Sequence, residues 1–247
     1  VTIPVSHYVE KARWALDRAR IEYREEGHAP GFHAVATRRR GGTRTVPVLV
    51  ADGKTYADST DILRWVDAQP TGVPPLFPTE PDLAAEVAAL EELYDRQVGV
   101  DARRLVYVHM IGETETLLTM YAARVPGWEA RVLRLLWPVM RRGIVQNYRI
   151  NPVNGARSHE RLMGVFDDVV RRLADGRRYL VGDRFTAADL TFAALSGPVV
   201  APPGYGGPLP AFDDLPAHVQ AGLRPYREHA AADFARRIYA EHRSPKG

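Results

Sequence analysis

Residues Ser6-His7-Tyr8-Val9-Glu10-Lys11-Ala12-Arg13 put two hydroxyls where one backbone pattern gives way to another. Thr2 to Val5 reads as a short strand, and apolar residues at Val9, Ala12 and Leu16 then follow helical spacing. Ser6 therefore stands at a helix start, where backbone N–H groups are unpaired and the helix dipole is positive. An anion is stabilised there, and a thiolate most usefully. A free thiol of pKa about 8.5 falls to roughly 3.5–7.5 beside a helix N-terminus. The Ser6 hydroxyl cannot act as a base at neutral pH, but it can donate a hydrogen bond to the charged sulfur. Tyr8 is the rival donor. His7 is not expected to activate Ser6, because neighbours on an extended segment point apart. Serine is also a good helix cap, so the bland reading of Ser6 stands beside the chemical one.

The chain of 247 residues has no cysteine. Disulfides, thiolate metal sites and cysteine nucleophiles are thereby excluded, and any thiol must be borrowed. A net charge of +3, from 33 basic and 30 acidic groups, gives no strong pull toward nucleic acid or membrane. No run of 18 apolar residues reads as a membrane span, and the first residues lack a signal-peptide pattern. A cytoplasmic location is the expectation.

The spacing predicts a strand at 2–5, a helix at 9–19, a strand at 21–25 and a polar loop at 28–43 holding a short helix near 34–39. Strands at 46–50 and 54–57 follow, joined by an Asp52-Gly53 turn, and then a helix at 59–68. Prolines 70, 74, 75, 78 and 81 mark a stiff linker. The domains are therefore read as 1–70, a linker at 71–82 and a second domain at 83–247. The second domain reads as all helical, with helices at 83–105, 106–124, 128–141, 156–175, 187–199 and 226–242. Thr186 and Asp189 have the spacing of a capping box ahead of an apolar helix.

The pattern Ser6-x-x-x-x-Lys11-x-Arg13, then Val46-Pro47-Val48-Leu49, then Asp58-Ser59 resembles the N-terminal half of the cytosolic glutathione S-transferases. Tyr179-Leu180-Val181-Gly182-Asp183 through Asp189 is similar to the signature of that superfamily's helical domain. The resemblance implies an α+β thioredoxin-like N-terminal domain followed by an all-α C-terminal domain. Related proteins with Cys-Pro-Tyr-Cys at the first position exchange disulfides; Ser6-His7-Tyr8-Val9 cannot.

By the same resemblance, glutathione is the co-substrate, with another low-molecular-weight thiol as the alternative. Ser6 would hold its sulfur. Val46, before a cis Pro47, would pair its backbone with the cysteinyl unit, and Asp58 and Ser59 would take the γ-glutamyl end. His33 with Arg38 and Arg39, or their neighbours Arg40 and Arg44, would meet the glycyl carboxylate. Tyr94, Tyr107 and Met110 are the first choices for the wall of a hydrophobic substrate pocket, drawn from a wider set with Tyr121, Trp137 and Tyr148. No three-ligand metal set and no GxSxG elbow is visible.

The implied function is conjugation of the thiol to a small hydrophobic electrophile by a homodimer, in detoxification. Two alternatives keep the fold: an isomerase or lyase in a catabolic or biosynthetic pathway, and a non-catalytic ligand-binding protein.

Overall fold

The computed structural model describes residues 1–243. Its first helix, α1 (His7–Arg18), begins immediately after Ser6. Then come α2 (His33–Arg39), the antiparallel pair β1 (Leu49–Ala51) and β2 (Lys54–Tyr56), and α3 (Ser59–Asp67). The register of the pair is Leu49 to Tyr56, Val50 to Thr55 and Ala51 to Lys54, closed by Asp52 and Gly53, both at positive φ.

The strands expected at 2–5 and 21–25 do not form ladders. Thr2 makes one parallel bridge with Gly27, just beyond the second segment, held by Thr2 N–H to Glu26 C=O (2.9 Å) and His28 N–H to Thr2 C=O (2.9 Å). Val48 N–H donates to Val1 C=O at 3.0 Å on the other side. The strand expected at 46–50 starts only at Leu49. The cause is local. Pro4 and Pro47 have no N–H to give, so a ladder cannot run through either position. The thioredoxin-like order survives as extended segments tied by single bonds.

Residues 68–80 carry no helix and lie fastened between both parts of the chain. The Asp67 carboxylate accepts from Leu76 N–H and Phe77 N–H, each at 2.8 Å, while Leu76 C=O accepts from Ala187 N–H at 2.8 Å. Pro81 then opens α4 (Pro81–Arg96) from its first position, where a missing N–H costs nothing.

The helical half is more finely divided than its apolar spacing suggests. The helix expected at 83–105 breaks at Gln97, giving α4 and α5 (Val98–Met110). The one expected at 106–124 is interrupted around Gly112, after which α6 (Thr114–Ala122) starts. The 128–141 stretch splits into α7 (Gly127–Leu135) and α8 (Trp137–Asn147), with Pro138 in the first turn of α8. Next are α9 (Pro152–Leu173) and α10 (Ala187–Val200). The helix expected at 226–242 is α12 (Ala230–His242), and an unanticipated helix, α11 (Ala217–Arg227), precedes it. No helix among the described residues is long and apolar enough to cross a membrane.

Helix α10 is the hub. Nearly every residue from Ala187 to Val200 is buried, and α1, α4, α5, α11 and α12 pack around it. A helix apolar on all sides can only sit at a core centre. Its start is fixed by Asp189, whose buried carboxylate accepts from Leu180 N–H (2.8 Å), Thr186 N–H (2.9 Å) and Thr186 Oγ1–H (2.9 Å). Asp189→Ala leaves buried donors unmet, at about 1–3 kcal/mol each. Urea unfolding of that variant is expected to show a loss of at least about 3 kcal/mol.

Helix α1 is buried on nearly all faces although it carries Glu10, Lys11 and Arg13. Arg13 is structural: its guanidinium pairs with Glu25 and donates to Pro4 C=O at 2.9 Å. Lys11 is fully buried and pairs with Glu91 and with Asp95 (2.8 Å), both on α4. Thr60 of α3 donates to Glu91 at 2.6 Å. Two carboxylates thus share one ammonium in a dehydrated site. Burial, reinforced by Glu91 and opposed by Lys11, raises the Asp95 carboxyl from 3.8 to about 6. A carboxyl raised on folding takes up a proton in the native state first, so its contribution to stability falls as pH rises from about 4 to about 6. The stability of the parent chain relative to Asp95→Asn is expected to fall across that window. Denaturation midpoints measured at several pH values check it.

Candidate active site

Ser6 caps α1 in extended geometry (φ −68°, ψ 130°), yet its side chain makes no capping hydrogen bond. Ser6 lines a cavity of about 480 Å³ between the two halves of the chain. The N-terminal wall is made by Ile3, Val5 to Tyr8, Pro30, His33, Arg44 to Pro47 and Ala57 to Ser59. The facing wall comes from α5, α6 and α8, through residues that include Arg103, Val106, Tyr107, Leu117, Tyr121 and Ile144, with Tyr148, Pro198 and Leu209 at its edges.

The polar groups of the next two residues are engaged elsewhere. His7 is buried, with Nε2 2.9 Å from Gly99 C=O, so Nε2 carries the proton and donates. Burial, aided by Arg103 and opposed by the Gly99 bond, lowers this imidazole to about 3. It is neutral across the physiological range. Tyr8 lines the cavity, but its hydroxyl donates to Asp95 C=O at 2.7 Å. Burial raises the phenol above its ordinary value. The rival donor is therefore already engaged, whereas the Ser6 hydroxyl is not used as a cap.

Around Ser6 the wall is rich in backbone groups. The Val46–Pro47 peptide is cis, and among the described residues no backbone partner takes the N–H or C=O of Val46. Asp58 caps α3, accepting from Thr60 N–H at 2.7 Å, and Ser59 is buried in the first helical position. A second helix N-terminus is thereby presented to the same space as the first. His33 accepts from Gly31 N–H through Nδ1 (3.1 Å) and donates from Nε2 to Arg44 C=O (3.1 Å). It anchors the loop that carries Arg44 to the cavity edge. Burial lowers its pKa.

Arg38 and Arg39 do not reach the cavity. They are exposed on the last turn of α2, and of the arginines between 38 and 44 the one that reaches it is Arg44. Nor do Tyr94 and Met110 line it. The Tyr94 ring faces the core, 5.4 Å from Phe192 on α10, and Met110 is buried among core side chains. Both lie on the sides of their helices turned toward the hub. Trp137 is likewise buried, donating from Nε1 to Thr114 at 3.1 Å. Tyr107 lines the cavity together with Tyr121 and Tyr148.

Arg103, Leu117, Met120 and Ile144 are cavity residues that sequence reasoning passed over. The signal for Arg103 was its place four residues before Tyr107, on one helix face. Its guanidinium lies 4.2 Å from the centre of the Tyr148 ring. Tyr107 stacks on Tyr148 at 5.4 Å, and the Tyr107 and Tyr121 hydroxyls are hydrogen-bonded to each other. Among the described residues no group of His, Asp and Glu could hold a metal ion. The site can thus hold a polar, peptide-like molecule on one side and an apolar or aromatic one on the other.

Comparison with known proteins agrees with this geometry. Residues 1–74 match the family model of the glutathione S-transferase N-terminal domain. Among solved structures, a glutathione S-transferase of Methylobacterium radiotolerans in complex with glutathione sulfonate is similar over 100% of this chain and 94% of its own, at 19% identity and a TM-score of 0.55. One from Ceriporiopsis subvermispora in complex with glutathione is similar over 95% of this chain and 89% of its own, at 18% identity and a TM-score of 0.58. One from Methylobacillus flagellatus with glutathione bound covers 94% of this chain and 95% of its own, at 16% identity and a TM-score of 0.54. No curated protein matches the chain. At such identities the structural likeness speaks for fold and leaves activity to the site. The first 74 residues match a glutathione S-transferase N-terminal domain, and the chain as a whole shares the two-domain fold of these solved structures.

Proposed function

We propose that the protein is a thiol transferase of the glutathione S-transferase type, joining glutathione to a small hydrophobic electrophile. The observation that carries this reading is the Ser6 hydroxyl, free of a capping bond at the N-terminus of α1 and facing a cavity with a peptide-like side and an apolar side. Glutathione bound to the solved relatives supports the choice of thiol.

In this reading the Val46 N–H and C=O pair with the cysteinyl backbone as an added strand. Asp58 meets the γ-glutamyl ammonium, and the N-terminus of α3 at Ser59 meets its carboxylate. Arg44, held by His33, takes the glycyl carboxylate in place of Arg38 and Arg39. Ser6 donates to the sulfur, and the α1 dipole adds to the same preference for the anion. The thiolate then attacks the electrophilic carbon, and the leaving group departs or the adduct gains a proton. The protein supplies proximity and a lowered thiol pKa. Homodimerisation, cytoplasmic action and a role in detoxification belong to the same reading.

Two measurements test it. Glutathione at a hundred times its Kd stabilises a native state that alone binds it by about 2.7 kcal/mol, so a rise in melting temperature is expected. No shift at any millimolar concentration would exclude glutathione, and a screen of other thiols would then decide whether one is used. With a model electrophile such as 1-chloro-2,4-dinitrobenzene, Ser6→Ala is expected to keep that shift while kcat/KM at neutral pH drops roughly 10²–10³-fold, the usual cost of one oriented donor. Unchanged turnover would remove Ser6 from the chemistry. Product mass separates conjugation from isomerisation, because only a conjugate gains the mass of the thiol.

A further inference from the structure

Arg103 is unusual among the buried and half-buried arginines. Arg104 beside it pairs with Asp101 and donates to Ser158 and to Tyr148 C=O. Arg13 pairs with Glu25, and Arg172 with Asp168 and Glu86. Arg227 donates to the carbonyls of Val200 and Ala201. Arg103 takes part in none of the ion pairs or hydrogen bonds found among the described residues, and its one recorded partner is the Tyr148 ring face. It nevertheless lines the cavity on the apolar side, beside Val106, Leu117 and Ile144. A guanidinium with five donors, half removed from water, is there without an acceptor. The bonded Tyr107 and Tyr121 hydroxyls add a further donor, since whichever gives its proton to the other leaves the second proton to donate.

We propose that the second substrate is an apolar, preferably aromatic, molecule bearing a carboxylate, which Arg103 binds while the tyrosine pair and the apolar wall hold its body. This deepens the thiol-transfer reading, on which the word substrate rests. The anion site itself is tested without any thiol.

The experiment is isothermal titration of the full chain with 1-naphthylacetate and with the neutral 1-naphthylacetamide, in thiol-free buffer at pH 7. The acid is expected to bind at least about tenfold more tightly, the fold-change of one charge-assisted hydrogen bond. Arg103→Met is expected to erase the preference and leave amide affinity within about twofold. Arg103→Lys, which keeps the charge but loses the fork, is expected to retain part of it, and it guards against a misfolded methionine variant. Equal affinity for acid and amide would overturn the proposal, as would a preference untouched by Arg103→Met. A further titration at saturating glutathione separates the two halves of the cavity. Retained binding of the acid supports the proposal, and one-for-one displacement by glutathione overturns it by putting the acid in the thiol's place. If glutathione does not bind while the acid preference stands, the thiol reading fails and the anion site remains.

Discussion

The structure depends most on a single buried ammonium. Lys11 projects from the helix whose first turn follows Ser6, and it reaches Glu91 and Asp95 on the first helix of the other domain, with Thr60 of a third helix closing the group. Removing one partner of a buried pair strands the other, which costs about 3–5 kcal/mol. The two halves of the chain are therefore joined by a contact that tolerates little displacement. Two further links reinforce it: His7 to Gly99 C=O and Tyr8 to Asp95 C=O. The polar groups of His7 and Tyr8 are spent on holding the domains together, and of the three successive side chains the Ser6 hydroxyl is the one not used in that way.

That division of labour follows from elementary geometry. Residues His7, Tyr8 and Lys11 lie along the first turns of one helix and meet the break between α4 and α5 at Gln97. A helix break exposes carbonyls that need donors. Asp95 C=O, in the last turn of α4, receives its donor from the phenol, and Gly99 C=O, in the first turn of α5, accepts the imidazole N–H as well. At the far end of α1, the Trp14 Nε1–H donates to His242 C=O at 3.0 Å, and Arg243 pairs with Glu10 and Asp17. The helix that presents the hydroxyl is fixed at both ends by the helical domain.

Much of this was legible in the sequence, and the gaps have physical reasons. The helix start at Ser6, the Asp52-Gly53 turn, the Ser59 helix and the Thr186–Asp189 capping box all rest on local chemistry that reads directly from residue type. The strands were over-read. Alternation in 2–5 and 21–25 describes extended chain, but ladder length depends on N–H groups that Pro4 and Pro47 lack. Helix breaks at Gln97 and Leu136 escaped because apolar spacing continues across them. In the site, the residues placed by backbone position, Val46, Pro47, Asp58 and Ser59, all line the cavity. Those chosen by side-chain type fared worse. Tyr94 and Met110 face the core, and Arg38 and Arg39 face solvent, because a periodicity reveals that a face exists and not which neighbour it meets.

One close contact makes the two domains specific to each other. A methyl group on Gly99 would sit 2.2 Å from the Tyr8 oxygen, so the helix approaches the phenol as nearly as a bare backbone allows. A tyrosine in one domain and a missing side chain in the other are complementary halves of one fitting. A helical domain with a side chain at this position would collide with the phenol, whereas an N-terminal domain without the tyrosine would leave a gap beside Gly99. A side chain at 99 and a phenol at 8 cannot share this packing.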